Sequence, residues 1–136
     1  MTAGPAYYGH LRFNAPLSDR RADSLATRLA AAHPADVLDV GCGWGELLLR
    51  VLDRAPGARG LGADTDERLL LRARSAATGR GLAERVEFVA VPGAELTGAA
   101  DLVLCVGSSH ALDEALQPAL AGLRRLVRPG GRLLLG

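Results

Sequence analysis

Residues 36–40, Asp-Val-Leu-Asp-Val, run straight into Gly41-Cys42-Gly43-Trp44-Gly45. An apolar-rich run of this length suits a buried parallel strand. Three glycines at alternate positions behind it call for a sharp turn, because a residue without a Cβ takes left-handed backbone conformations at little cost. Residues 46–54 then place Leu47, Leu48, Val51 and Leu52 at helical spacing. Strand, glycine turn and helix open a crossover unit, and a chain built from such units is committed to a parallel sheet.

The rest of the chain repeats the pattern. A first helix is predicted from Ser18, a good N-cap, with Ala22, Leu25, Ala26, Leu29 and Ala30 on one face, ending near His33-Pro34. Pro56-Gly57 breaks the second helix. Strands are predicted over 59–64, 86–91 and 101–106, a helix over 66–78 closed by Gly79, and another helix over most of 113–127. Pro118 must sit in the first turn of that last helix or divide it. Pro129-Gly130-Gly131 reads as a turn into a fifth strand over 132–135, and the sequence stops at Gly136. The expectation is an α/β fold, a doubly wound parallel sheet with helices on both faces. At 136 residues it is one domain. Residues 1–34 form an N-terminal segment and first helix that cap a pocket, and residues 35–136 form the ligand-binding core.

Composition excludes several chemistries. All 16 basic residues are arginine, so neither Schiff-base catalysis nor a phosphate-loop lysine is available. Net charge is +1 with no basic cluster, which disfavours nucleic acid as partner. The apolar runs are too short to span a bilayer and no signal peptide is visible, so the expected place is the cytoplasm. Cys42 and Cys105, with His10, His33 and His110, lack metal-ligand spacing. No metal is expected, and both thiols read as free and buried.

Ligands of such sheets bind beyond the carboxyl ends of the strands, here residues 41–45, 64–66, 91–95 and 107–110. The glycine spacing is Gly-x-Gly-x-Gly, whereas the dinucleotide fingerprint is Gly-x-Gly-x-x-Gly. Glu46, at the helix start, opposes a pyrophosphate there. Asp39 offers a carboxylate to a ligand ammonium. Asp64, 23 residues after Gly41, can accept both hydroxyls of a ribose. A ligand with a ribose, an amine and no diphosphate fits, and S-adenosylmethionine is such a molecule.

Four segments in order complete the reading. They are Val37-Leu38-Asp39-Val40-Gly41-Cys42-Gly43-Trp44-Gly45, Gly62-Ala63-Asp64, the run from Asp101 to Val106, and the run from Leu126 through Pro129-Gly130-Gly131 to Leu134. Over about residues 35–136 the chain resembles the class I, Rossmann-like S-adenosylmethionine-dependent methyltransferases. The resemblance implies strand order 3-2-1-4-5, S-adenosylmethionine as cofactor and S-adenosylhomocysteine as product. It implies cofactor contacts from Asp39, Gly41, Cys42, Gly43 and Gly45 around the methionine part. Asp64 would meet the ribose, and Gly93, Ala94 and Glu95 the adenine, with Thr65 and Val106 also lining the cofactor. Two departures stand out. The family often has an aspartate after the third strand, where this chain reads Ala90-Val91-Pro92-Gly93-Ala94-Glu95. The family sheet also continues for two more strands, one antiparallel, so the chain reads as a truncated domain, a fragment or a natural short form.

The resemblance places the acceptor pocket after the fourth strand, at Gly107-Ser108-Ser109-His110. His110 is the candidate general base, or it lines the cleft without catalysing. Ser108 and Ser109 can orient a polar acceptor or cap a turn. Trp44 is expected to pack rather than cover the ligand. The leading reading is a methyltransferase acting on a small molecule. One alternative is a non-catalytic cofactor-binding or partner-binding remnant; another, disfavoured by the glycine spacing, is a nicotinamide-dependent oxidoreductase. The open edge of the fifth strand predicts self-association or a covering partner, with weak turnover.

Overall fold

The computed structural model describes residues 17–106 and 115–136. Five parallel strands form one sheet in the order β3-β2-β1-β4-β5, as expected. They are β1 (Asp36–Val40), β2 (Arg59–Ala63), β3 (Val86–Val89), β4 (Ala100–Cys105) and β5 (Val127–Leu135). The described helices are α1 (Asp19–Ala30), α2 (Glu46–Arg54), α3 (Glu67–Gly79) and α4 (Leu116–Leu126). β1 is central, paired with β2 on one side and β4 on the other, so Val37, Leu38, Asp39 and Val40 are all buried.

Local chemistry sets the ends of the elements. Ser18 accepts the Arg21 amide at 3.2 Å and starts α1. Ala22, Ala26 and Ala30, one turn apart, present small side chains to the core. His33, at φ 54°, and Pro34 end that segment. Asp66 caps α3 by accepting the Arg68 amide at 3.0 Å. Arg85 finishes α2 from outside, its guanidinium donating to the carbonyls of Leu52, Ala55 and Ala58 at 3.0–3.1 Å. The Leu52 and Ala55 carbonyls also accept the Ala55 and Ala58 amides at 3.3 and 2.9 Å, so Arg85 reinforces the turn that ends the helix. Pro118 is the third residue of α4 and lies in its first turn, where no intrahelical amide is needed.

The sheet has two unequal faces. α1, α2 and α3 pack on one, where Leu48, Leu49, Leu52, Leu70 and Phe88 meet Val37, Leu102 and Leu104. α4 covers the other through Leu123 and Leu126, against Leu38, Val40, Val103 and Cys105.

Several boundaries differ from the sequence reading, β4 and α3 by one residue at each end and three others in ways that bear on the site or the sheet edge. β2 ends at Ala63 and β3 at Val89, because the last residues before each turn lose their ladder. The Pro129-Gly130-Gly131 turn lies inside β5. Ala100 pairs with Val127 while Leu102 pairs with Arg132, so five residues advance on β5 against two on β4. Gly130 takes φ 81° in this excursion. A Cβ at Gly131 would sit 2.8 Å from the carbonyl oxygens of Arg128 and Asp101. Arg128 fastens the excursion to Asp101 at 2.6 Å and Asp36 at 3.0 Å.

Candidate cofactor site

The carboxyl ends of β1, β2 and β3 are tied together by backbone bonds. The Cys42 amide donates to the Ala63 carbonyl at 2.9 Å, and the Asp64 amide to the Val89 carbonyl at 3.2 Å. Gly41, Gly43 and Gly45 all have positive φ, at 68°, 57° and 74°. A side chain in that region costs about 1–2 kcal/mol per residue, so the loop needs all three glycines. Gly45 is the N-cap of α2, and the helix begins with its amides directed back at the loop.

Asp64 is the organiser of this edge. One carboxylate oxygen accepts the Gly43 amide at 2.9 Å, and the other accepts the Asp66 amide at 2.9 Å. The carboxylate is thus fixed by two backbone donors, and each oxygen retains a lone pair for a further donor. Asp39, only 7% exposed, lies in the adjacent strand. Burial, and behind it the like charge of Asp64, push its carboxyl up to about 8. Burial and the charges of Asp39 and Asp64 raise the Cys42 thiol far above its ordinary range. That thiol is a packing group that points to the Gly43 carbonyl at 3.5 Å. Both cysteines are free and buried.

The remaining expected residues distribute along the same edge. Thr65 is exposed in the β2–α3 turn. Gly93, Ala94 and Glu95 form a single 3-10 turn after β3, with Gly93 buried and the other two exposed. Val106 is half-buried just past β4. His110, Ser108 and Ser109 lie outside the described residues, as does the segment 1–16.

Glu46 stands differently from the sequence expectation. Its carboxylate is engaged by Arg50 at 3.3 Å and by Arg80, so its opposition to a pyrophosphate is largely offset. The carboxyl groups at the loop are those of Asp39, buried in the strand, and Asp64, tied to the Gly43 amide. Trp44 is 5% exposed and packs as expected, with the Arg72 guanidinium 4.1 Å over its ring.

Two contributors escaped the sequence reading. Phe88 fills the space that side chains at Gly45 and Gly62 would occupy. The signal was Gly60 and Gly62, two apart on one face of β2; leucines of α2 fill the space at the first of these. Arg50, in turn, is buried and held by Asp19 at 2.6 Å, Asp23 at 3.0 Å and Glu46. It joins α1 to the helix that starts at the glycine loop.

The family profile described as Methyltransferase domain matches residues 38–133. The chain belongs to this methyltransferase family. The chain is 38% identical over 120 residues to demethylmenaquinone methyltransferase of Thermus thermophilus, covering 85% of the chain and 51% of that protein. It is 36% identical over 109 residues to a ubiquinone/menaquinone biosynthesis C-methyltransferase of Paracoccus denitrificans, covering 79% and 44%. The chain therefore spans about half the length of these curated relatives. Among solved structures, an S-adenosylmethionine-dependent methyltransferase from Geobacter sulfurreducens, in complex with S-adenosyl-L-homocysteine, superposes with a TM-score of 0.85 at 25% identity. The match covers 96% of this chain and 53% of that one. A second such complex, from Thiobacillus denitrificans, gives 0.86 at 25% identity, covering 99% and 56%. Among the described residues of this methyltransferase domain, no helix is long and apolar enough to cross a membrane.

Proposed function

We propose that this chain binds S-adenosylmethionine along residues 41–45, 64–65 and 93–95 and transfers its methyl group to a small-molecule acceptor. The observation that carries the reading is the Asp64 carboxylate seated on the Gly43 amide at 2.9 Å, with Asp39 buried beside it. In a phosphate-binding loop such amides face the ligand's anion. Here the internal Asp64 carboxylate takes that amide and puts its own charge where the anion would sit. A diphosphate would be repelled, and a ligand with a cationic group and a ribose is favoured. The same feature argues against the nicotinamide-dependent alternative.

When bound, the cofactor supplies an activated methyl on a sulfonium. The chain's own residues bind, orient and exclude water. Asp64 has the lone pairs to accept the ribose hydroxyls while its other bonds keep it still. Asp39 and the glycine loop, Cys42 included, form the methionine end, and Thr65 and Val106 line the cofactor elsewhere along the edge. The amides of Gly93 and Ala94 would serve the adenine ring, and the Glu95 carboxylate its amine. His110 would take a proton from the acceptor if the acceptor must lose one.

The names of the two curated relatives support an acceptor of quinone-precursor type. Residues 1–34 would cap the pocket. The β5 edge, carrying exposed Leu133 and Leu135, supports association with a second copy or a covering segment. Calorimetric titration with S-adenosylhomocysteine and with NAD, followed by a methyl-transfer assay on demethylmenaquinone and simpler phenols, tests the reading. Micromolar binding of S-adenosylhomocysteine with none of NAD is expected; the reverse preference overturns it. Binding without transfer to any acceptor would favour a non-catalytic module.

A further inference from the structure

We propose that Asp39 carries a proton in the ligand-free protein and surrenders it to solvent when a cationic cofactor binds, so that cofactor capture is proton-linked. The inference rests on the cofactor reading above but begins from the ligand-free site. Asp39 is in the central strand, 7% exposed, opposite Gly62 of β2 and Leu104 of β4. Neither neighbour offers a charge or a side-chain donor.

Among the described residues, the titratable groups around it give no compensation. At the end of β2 stands Asp64, of the same sign. In the loop stands the buried Cys42 thiol. On α2, Glu46 is held by Arg50 and Arg80. On α3, Arg74 is held by Glu67 and donates to the Phe88 carbonyl at 2.8 Å. The chain has no lysine, and His10 and His110 lie outside the described residues. Two neighbouring carboxyl groups, one of them buried and with no cation between them among the described residues, cannot both ionise cheaply. The Gly43 and Asp66 amides donate to Asp64, whereas Asp39 is buried between Gly62 and Leu104, which makes Asp39 the proton holder. The carboxyl of Asp39 accordingly stands near 8 in the free protein. A ligand's positive charge at the glycine loop reverses the balance: the carboxylate becomes the favoured form, and the proton leaves to buffer.

Titration of the whole chain with S-adenosylmethionine between about pH 5.5 and 7, below the range of the ligand's own α-amino group, tests the coupling. The expected result is an affinity that rises roughly tenfold per pH unit. The heat of binding should differ between phosphate and Tris by about one proton's ionisation enthalpy. Asp39→Asn should bind with equal heat in both buffers and lose most of the pH dependence. Binding that is tight but independent of pH and buffer overturns the linkage while leaving the cofactor reading intact; absence of binding overturns the cofactor reading.

A ligand-free measurement separates the two. A carboxyl that titrates higher in the folded than in the unfolded state contributes stability that is lost as pH rises from about 4 towards 8. Wild type should lose urea stability over that range more steeply than Asp39→Asn. Should that variant not fold, the carbon-13 carboxyl resonance of Asp39 in wild type answers directly. A midpoint above about 6 upholds the proposal, and one near the ordinary 3.9 ends it.

Discussion

A Cβ built on Gly62 would lie 2.7 Å from Cδ1 of Phe88, so β2 and the ring from β3 meet only because position 62 carries no side chain. The same ring comes within 2.8 Å of a Cβ at Gly45. One aromatic side chain therefore supports the glycine loop, the second strand and the start of α2 together. This couples loop shape to core packing.

Gly62→Ala should destabilise the fold by about 1–3 kcal/mol through overpacking. Phe88→Leu added to Gly62→Ala should recover part of that loss, because the smaller side chain makes room. Urea denaturation of the two single variants and the double variant measures the coupling. Strict additivity would mean the two residues do not share the space.

Gly45→Ala meets both obstacles, the left-handed φ of 74° and the Phe88 ring. The strain alone is about 1–2 kcal/mol. Affinity for S-adenosylhomocysteine should fall along with stability, since the loop cannot keep its turn. Native-like affinity in a folded Gly45→Ala would separate the loop from the ligand.

Asp64→Ala removes the acceptor for two backbone amides and for a ribose. Loss of one charge-assisted bond costs about 1.5–3 kcal/mol, so binding of S-adenosylhomocysteine should weaken about tenfold or more. Calorimetry reads this directly, with circular dichroism as the check on folding. Unchanged affinity would remove Asp64 from the ribose.

Arg50→Ala should lower stability by about 2–3 kcal/mol, less than a fully buried pair because Asp19 and Asp23 are half exposed. The loss should be smaller in high salt, and Arg50→Lys should restore only part of it, lacking the planar fork. A change within about 0.5 kcal/mol would show that α1 is held by its alanines alone.

His110→Ala should reduce turnover and leave cofactor affinity unchanged, as expected of a base that acts on the acceptor. A parallel loss of cofactor affinity would make it a binding residue. Full turnover at every pH would exclude it as base.

The sequence carried the parallel order and the shape of the glycine loop well, for reasons that are local. A strand buried on both faces reads as an apolar-rich run with little alternation, which is why β1 and β4 were plain despite Asp39 and Asp101. The loop was legible because only glycine tolerates three positive φ values in five residues. Asp64 was found by its place at a strand end. What it does to Gly43 was not, because a bond between a side chain and an amide 21 residues away leaves no trace in spacing. The partnering of Glu46 by Arg50 and Arg80 was hidden for the same reason, and so a charge read as free is in fact engaged. The β5 excursion was misread because Pro-Gly-Gly ordinarily ends a strand; here Arg128 and its two aspartates bridge the interruption and the ladder resumes.

The position of β5 at the sheet border has a further consequence. The amide of Gly136 donates inward to the Cys105 carbonyl at 3.1 Å. Residues alternate sides along a strand, so the amides of Leu134 and Arg132 also point towards β4, while those of Leu133 and Leu135 point away from the described sheet. In deuterated water the strand should therefore read as a comb. Slow and fast exchange would alternate residue by residue over 132–136, and whatever came to lie along that border would be registered as the disappearance of the fast teeth.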